Sequence, residues 1–412
     1  MTALFARRLC FKAYLAAAAA KSAIKYYLKG PRCPKWSLAY QVRRDISYSA
    51  LAYVFSDCLA EEDINKLDIQ QIADSCKKFD LEEAVLPQEI GIYCSSSIPV
   101  AAVEIDTKLF AGAGVAEPGL VSLTEADRTA AGRLREIPYE VVVSNSALES
   151  LREHGAAQEQ AFLCAPLCPD ERIILYLHGG AYTMGSPASH RLLVGHISDS
   201  ASRRAFVVDY RLAPLHPFPA QLHDAYISFC YLVSQGFKPE NIVVAGDSAG
   251  GNLALALSLL LRHVGARNIQ GLVLLSPWTD LMQERPSLKK NADYDWMYAV
   301  ELTFPEAAAR LFYAPGRKYS GELLAEMSHP LLSPVNGDFK GFPPTLTQAG
   351  EKEILVDDIA QLHKNIVAAN PDQHDSYIYE CYEDMAHVFH QLFGIQDSQL
   401  AIASIGKFMK NL

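Results

Sequence analysis

No apolar run in this chain is long enough to cross a membrane as a helix. The longest near the start runs from Ala13 to Ala20 and is bracketed by Lys12 and Lys21, whereas a spanning helix needs roughly 20 apolar residues. A polytopic membrane protein is excluded. The 9 cysteines include no CxxC pair, so neither a zinc site nor a dense disulfide framework is expected, and they read as reduced, buried small hydrophobes. Glu104, Asp106 and His190 make no metal-ligand spacing, and no metal is expected. The glycines of the 110–119 stretch are followed by no GK[ST], so they are no phosphate-binding loop. Acid is missing from the start of the chain. Every charged side chain from Arg7 to Arg44 is basic, and the first acid is Asp45. The rest of the chain is therefore more acidic than the net charge of -10 implies. That balance argues against nucleic acid as a partner, because its phosphates would be repelled.

What is present divides the 412 residues into three segments. Residues 1–44 form the basic head. It reads as a helix as far as Leu28, stopped by Gly30 and Pro31. Its basic residues cover half of a helical wheel, but its apolar residues are not confined to the other half. Three readings stand for it: a helix packed on the body, a peripheral contact with an anionic membrane surface such as the endoplasmic reticulum, and a cleaved targeting segment. Residues 45–136 mix short helical patterns, one of them at 63–79, with glycine and proline, and read as a cap. From residue 137 short β-branched runs alternate with helical ones. Strands are expected at 139–143, 173–177, 205–209, 242–245, 272–275, 344–348 and 376–380, with helices at 188–202, 221–235, 250–263, 356–369 and 397–412. Apolar strands spaced by helices indicate an α/β fold with a mostly parallel sheet covered on both faces.

Two motifs carry chemistry. Gly246-Asp247-Ser248-Ala249-Gly250 fits GxSxG and lies between an apolar strand and a helix, the context in which a serine stands on a sharp turn at the carboxyl end of a sheet. The helix behind it supplies backbone N–H groups and a positive dipole end. His178-Gly179-Gly180-Ala181 follows the strand ILYL. Small residues there let backbone N–H groups approach a reacting centre and stabilise an oxyanion. The expected oxyanion set is Gly179, Gly180, Ala181 and Ala249, with Gly179 shaping the loop and the other three donating. His178 reads as structural, because it starts the loop rather than facing the serine.

The HGG loop, Asp209-Tyr210-Arg211-Leu212-Ala213-Pro214, His216-Pro217-Phe218-Pro219-Ala220, GDSAG and Ser276-Pro277-Trp278-Thr279-Asp280 occur in that order. In this the chain resembles the hormone-sensitive-lipase branch of the α/β-hydrolases over roughly residues 137–412. Gly30-Pro31 and Pro34-Lys35-Trp36-Ser37-Leu38 resemble fungal steryl acetyl hydrolase-like and arylacetamide deacetylase-like esterases. Leu215 departs from the pattern, which has glutamate after YRLAP; an altered local ion pair is expected there.

The resemblance implies a nucleophile, acid and histidine in that chain order. It selects His387 in MAHVFHQL, with His390 as competitor and His374 at the wrong end of its strand. It places the acid at Glu353 in EILVD, with Glu351, Asp357 and Asp358 as rivals. Asp357 and Asp358 also fit the first turn of the next helix, where the dipole favours acids. The resemblance then implies a serine carboxylic ester hydrolase with Ser248, His387 and Glu353, needing no cofactor and acting on a small-molecule ester. A short acyl chain on a bulky apolar alcohol, such as a sterol or a secondary metabolite, is the expected substrate. Two alternatives remain open on the same fold: a cyclase, lyase or acyltransferase of natural-product assembly, and a ligand-binding receptor. Tyr294, Trp296, Met297 and Tyr298 read as part of a structural cap or as pocket lining.

Overall fold

Four consecutive strands of this protein are buried at every position: IILYL, AFVV, IVVAGD and GLVLL. Strands of this kind have no wet face, so helices must cover both sides of the sheet. A computed structural model describes residues 2–54, 87–99 (except 89), 135–297 (except 154, 156, 157, 163, 267 and 283), 308, 312–315 and 317–412. The strands are β1 (Gly91–Pro99), β2 (Glu136–Ser144), β3 (Ile173–Leu177), β4 (Ala205–Val208), β5 (Ile242–Asp247), β6 (Gly271–Leu275), β7 (Thr345–Gly350) and β8 (Tyr377–Tyr382). The helices are α1 (Thr2–Lys29), α2 (Leu38–Val54), α3 (Asn145–Glu153), α4 (Pro187–Ala201), α5 (Ala220–Ser234), α6 (Ala249–His263), α7 (Ser287–Lys290), α8 (Gly321–Met327), α9 (Val356–Ala369) and α10 (Gln396–Asn411).

The strands make one 8-stranded sheet in the order β1-β2-β4-β3-β5-β6-β7-β8. β2 is antiparallel to both of its neighbours, and β3 to β8 are parallel. Alternate residues feed two cores. Ile174, Tyr176 and Val243 meet Leu193, Ile197, Ile405 and Phe408 of α4 and α10. Leu175, Leu177 and Val244 meet Leu222, Leu253 and Ile359 of α5, α6 and α9. β4 and β5 flank β3 on opposite sides, so the chain reverses direction across the sheet at β3. The crevice beyond the carboxyl ends of β3 and β5 is where open α/β sheets bind ligands, and both glycine motifs end there.

Every expected strand and helix from residue 137 onward is present, with boundaries shifted by a few residues. The sheet nevertheless starts before that boundary. Residues 91–99, expected within the cap, pair with β2 from Gly91 opposite Ser144 to Pro99 opposite Glu136. This edge strand has four consecutive exposed positions in its middle, so its sequence carries no alternating pattern. The expected helix at 63–79, the loop at 110–119 and most of the proposed cap lie outside the described residues. Cys33, Cys94, Cys164, Cys168, Cys230 and Cys381 are free thiols.

The basic head is built into the body. Phe11 and Tyr14 of α1 each lie 5.1 Å from the ring of Tyr53 in α2. Cys33, Trp36 and Tyr40 pack with Met385, Ala386 and Phe389. Among the described residues no helix is long and apolar enough to cross a membrane.

Candidate active site

Ser248 stands where β5 turns into α6. Its backbone lies at φ 52 and ψ -119, a conformation that a non-glycine residue holds only when its surroundings impose it. Its N–H donates to the Leu275 carbonyl at 2.9 Å, and its own carbonyl accepts from Trp278 N–H at 2.9 Å. The flanking glycines are needed for space. A Cβ on Gly246 would come within 2.4 Å of the Gly250 carbonyl oxygen, and one on Gly250 within 2.0 Å of that of Leu177.

His387 and Glu353 come to Ser248 from the loops after β8 and β7. His387 Nε2 lies 2.9 Å from Ser248 Oγ, and its Nδ1 lies 2.8 Å from Glu353 Oε2. Glu353 Oε1 accepts from the Gly350 N–H at 2.9 Å, so the carboxylate is fixed at both oxygens. That fold-back accommodates the methylene that aspartate would lack. All three residues are buried. Burial raises the Glu353 carboxyl above its ordinary range, opposed by its bond to His387. Burial pulls the His387 imidazole down, but the hydrogen bond and charge of Glu353, helped by Asp295 and Asp247, outweigh it and leave the ring raised. Each partner's charge thus favours the charged form of the other against the burial of both.

The rivals have other partners. His390 faces Gln348 Oε1 at 3.1 Å, and burial lowers it to about 3. His374 is exposed and pairs with Asp375. Glu351 accepts from the Asp384 N–H, Asp357 accepts from the Ser287 N–H, and Asp358 lies against Arg285. Arg211 binds Asp224 through two nitrogens beside the family's missing glutamate, and Leu215 is exposed.

The HGG loop is anchored from below by Asp247. Its Oδ1 accepts from Tyr176 Oη at 2.7 Å and from the Gly179 N–H at 3.0 Å. Burial would raise this carboxyl, but His190, Tyr176 and His178 hold it down at about 2. Gly179, expected to shape the loop rather than to donate, has its N–H committed to Asp247. Gly180 adopts φ 121, and a Cβ there would meet the Met184 carbonyl oxygen at 2.0 Å. Ala181, in place of the usual third glycine, sits at φ 50, which alanine tolerates at a cost of about 1–2 kcal/mol. No hydrogen bond to another described residue occupies the N–H groups of Gly180, Ala181 or Ala249. His178 stacks on Tyr210 at 4.2 Å, and burial lowers it to about 3. It is a neutral part of the loop's frame.

Sequence reasoning missed a set of residues that hold the two loops. Asn291 Nδ2 donates to the carbonyls of Glu351 and Glu353, both at 2.9 Å. Asp295, buried, accepts the Ile354 N–H at 2.7 Å. Trp296 Nε1 donates to the His387 carbonyl at 2.8 Å. Ser276 Oγ accepts the Val388 N–H at 3.1 Å, and Tyr40 Oη accepts the Ala386 N–H at 2.6 Å. The guanidinium of Arg44 donates to the carbonyls of Asp293, Tyr294 and Asp295, each at 2.9 Å. Only the tryptophan lay in a cluster visible by composition. Tyr40 and Arg44 lie more than two hundred residues away in sequence, and no local pattern links them to the site. Tyr40→Phe leaves the buried Ala386 N–H without an acceptor. Its expected cost is about 1–3 kcal/mol in urea unfolding, together with a lower kcat at nearly unchanged KM, because the displaced group is next to the histidine rather than at the substrate.

Residues 174–391 match the family described as the alpha/beta hydrolase fold. The chain belongs to the α/β-hydrolases. It is 35% identical over 246 residues to an acetyl-hydrolase of Streptomyces hygroscopicus, covering 60% of this chain and 77% of that protein. It is 34% identical over 243 residues to an esterase of Acinetobacter venetianus, covering 58% and 75%. A crystal structure of an esterase from the bacterial hormone-sensitive lipase family superposes with a TM-score of 0.56 at 24% identity, over 89% of this chain and 97% of that one. This member of the α/β-hydrolases is a carboxylesterase- and acetylesterase-type serine hydrolase.

Proposed function

We propose that this α/β-hydrolase removes short acyl groups, acetyl first among them, from a bulky apolar alcohol such as a sterol or a secondary metabolite. The observation that carries the reading is the unbroken chain from Glu353 through His387 to Ser248 Oγ. A serine hydroxyl is a weak nucleophile until a base takes its proton, and His387 Nε2 is at the distance that transfer needs. Ser248 Oγ attacks the ester carbonyl while His387 takes its proton. Glu353 orients the ring and stabilises the imidazolium without itself becoming protonated. The N–H groups of Gly180, Ala181 and Ala249 receive the oxyanion. His387 then protonates the leaving alcohol. Water, deprotonated by His387, releases the acid from Ser248.

The acetyl preference is supported by the acetyl-hydrolase among the relatives. The apolar alcohol rests on the motif resemblance, and a basic head would suit work at a lipid surface where such alcohols collect. Activity on p-nitrophenyl acetate, butyrate and decanoate, and release of acetate from a sterol acetate, test the reading. Rates falling steeply beyond butyrate, with acetate released from the sterol ester, are expected. A preference for decanoate, or acyl transfer to an added alcohol in place of acid release, contradicts it.

A further inference from the structure

A cavity lies in the basic head. It measures about 540 Å³ and opens between α1, α2 and the segment at Ala292 and Asp293. Lys21, Ser22 and Lys25 of α1, Arg32, and Arg44 and Tyr48 of α2 line it. Lys21, Ser22 and Lys25 share one helix face, since residues three and four apart are neighbours. Four cations thus surround one cavity, against the two carboxylates of Asp45 and Asp293, in a chain whose net charge is -10.

The cations divide into two kinds. Asp45 pairs with Arg32 at 3.3 Å and with Arg44 at 2.8 Å, and both arginines also bind backbone carbonyls. Lys21 and Lys25 have no ion-pair partner among the described residues. Ser22 supplies an independent sign. It is 2% exposed, and its hydroxyl has no hydrogen-bond partner among the described residues. Buried hydroxyls are nearly always satisfied, and an exception calls for an explanation such as an absent ligand. A ligand with several acceptor oxygens and negative charge would satisfy the hydroxyl and both lysines together.

We propose that this cavity is a binding site for a phosphate-bearing anion. Phosphate offers the oxygens and the charge that two ammonium groups and a hydroxyl can share. Two sources present that chemistry: a free phosphorylated molecule, and the head group of an anionic phospholipid. Ile24, Tyr27 and Leu28 are exposed on the same helix, apolar surface of the kind the acyl region of a lipid would cover. The site is independent of the ester reading, because none of these side chains touches Ser248, His387 or Glu353.

The full chain is titrated with inorganic phosphate by calorimetry, and sedimented with phosphatidylcholine vesicles that contain or lack phosphatidylglycerol. Lys21→Gln/Lys25→Gln is compared with Lys12→Gln/Lys289→Gln, which removes the same charge from exposed positions outside the cavity. Binding of phosphate or of the anionic vesicles, weakened at least about tenfold in the cavity variant and little changed in the other, is expected. Binding only to vesicles assigns the lipid source, and binding only to phosphate assigns a free one. No binding of either kind, or equal loss in both variants, overturns the site. Should the double variant misfold by circular dichroism, Ser22→Ala is read in its place, and unchanged binding there counts against the proposal. Esterase activity of the unmodified chain, measured separately, tells failure of this site from failure of the catalytic reading.

Discussion

Ser248→Ala is expected to lower kcat/KM on p-nitrophenyl acetate by about 10⁴–10⁶-fold while leaving the protein folded. The size follows from what the hydroxyl does. Without it no acyl-enzyme forms, and His387 has no proton to take. What remains is the environment: the three open N–H groups and a buried site, which still favour attack by water to a small extent. The fold should survive because the elbow is held by backbone contacts of Leu275, Trp278 and the flanking glycines, and none of these uses the side-chain oxygen. Far-UV circular dichroism and the midpoint of thermal unfolding check that half of the statement. A loss of less than tenfold in a well-folded variant would mean that another group carries the reaction.

Glu353→Gln has a second large effect, and its signature is a pH profile. The amide removes the charge that holds His387 in its raised state. In the unmodified enzyme His387 must be neutral to act as base, so kcat/KM falls as pH drops through the apparent pKa of the His387–Glu353 pair. That acid limb is expected above the ordinary histidine value of 6.5. In Glu353→Gln only burial and the more distant carboxylates remain, burial lowers the ring, and the limb moves to lower pH. Activity at the plateau falls by about 10⁴-fold, because the amide no longer fixes the tautomer or stabilises the imidazolium. An acid limb that stayed in place would assign the pairing carboxylate elsewhere. Asp295, buried beside the loop, is the first group to examine then.

The sheet from β3 onward was legible because its strands are continuously apolar and its helices periodic. The serine was legible because a glycine-flanked elbow between strand and helix is a local motif, and the histidine because the family resemblance selects it in MAHVFHQL. The acid was narrower in its support. EILVD sits among four carboxylates, and only the contacts at 2.8 Å and 2.9 Å from Glu353 to His387 and Gly350 separate it from its neighbours. How Gly179 shapes its loop is a detail no motif states. GxSxG and HGG say which loops meet, but the bond from the Gly179 N–H to Asp247 depends on how β3 and β5 lie side by side. β1 was missed because an edge strand with an exposed middle needs no alternating pattern. Tyr40 and Arg44 were missed because the head's excess of basic residues pointed outward to membranes and targeting. In the fold, those two side chains point inward and tie the segment to the loops of His387 and Glu353.

The most direct test of the account is intact-peptide mass spectrometry of the enzyme quenched during turnover of p-nitrophenyl acetate. An acetyl group on the peptide that carries Ser248, absent from Ser248→Ala, is the expected result. Continued turnover with no adduct on that peptide, or an acetyl group at another nucleophile that persists in Ser248→Ala, would contradict it.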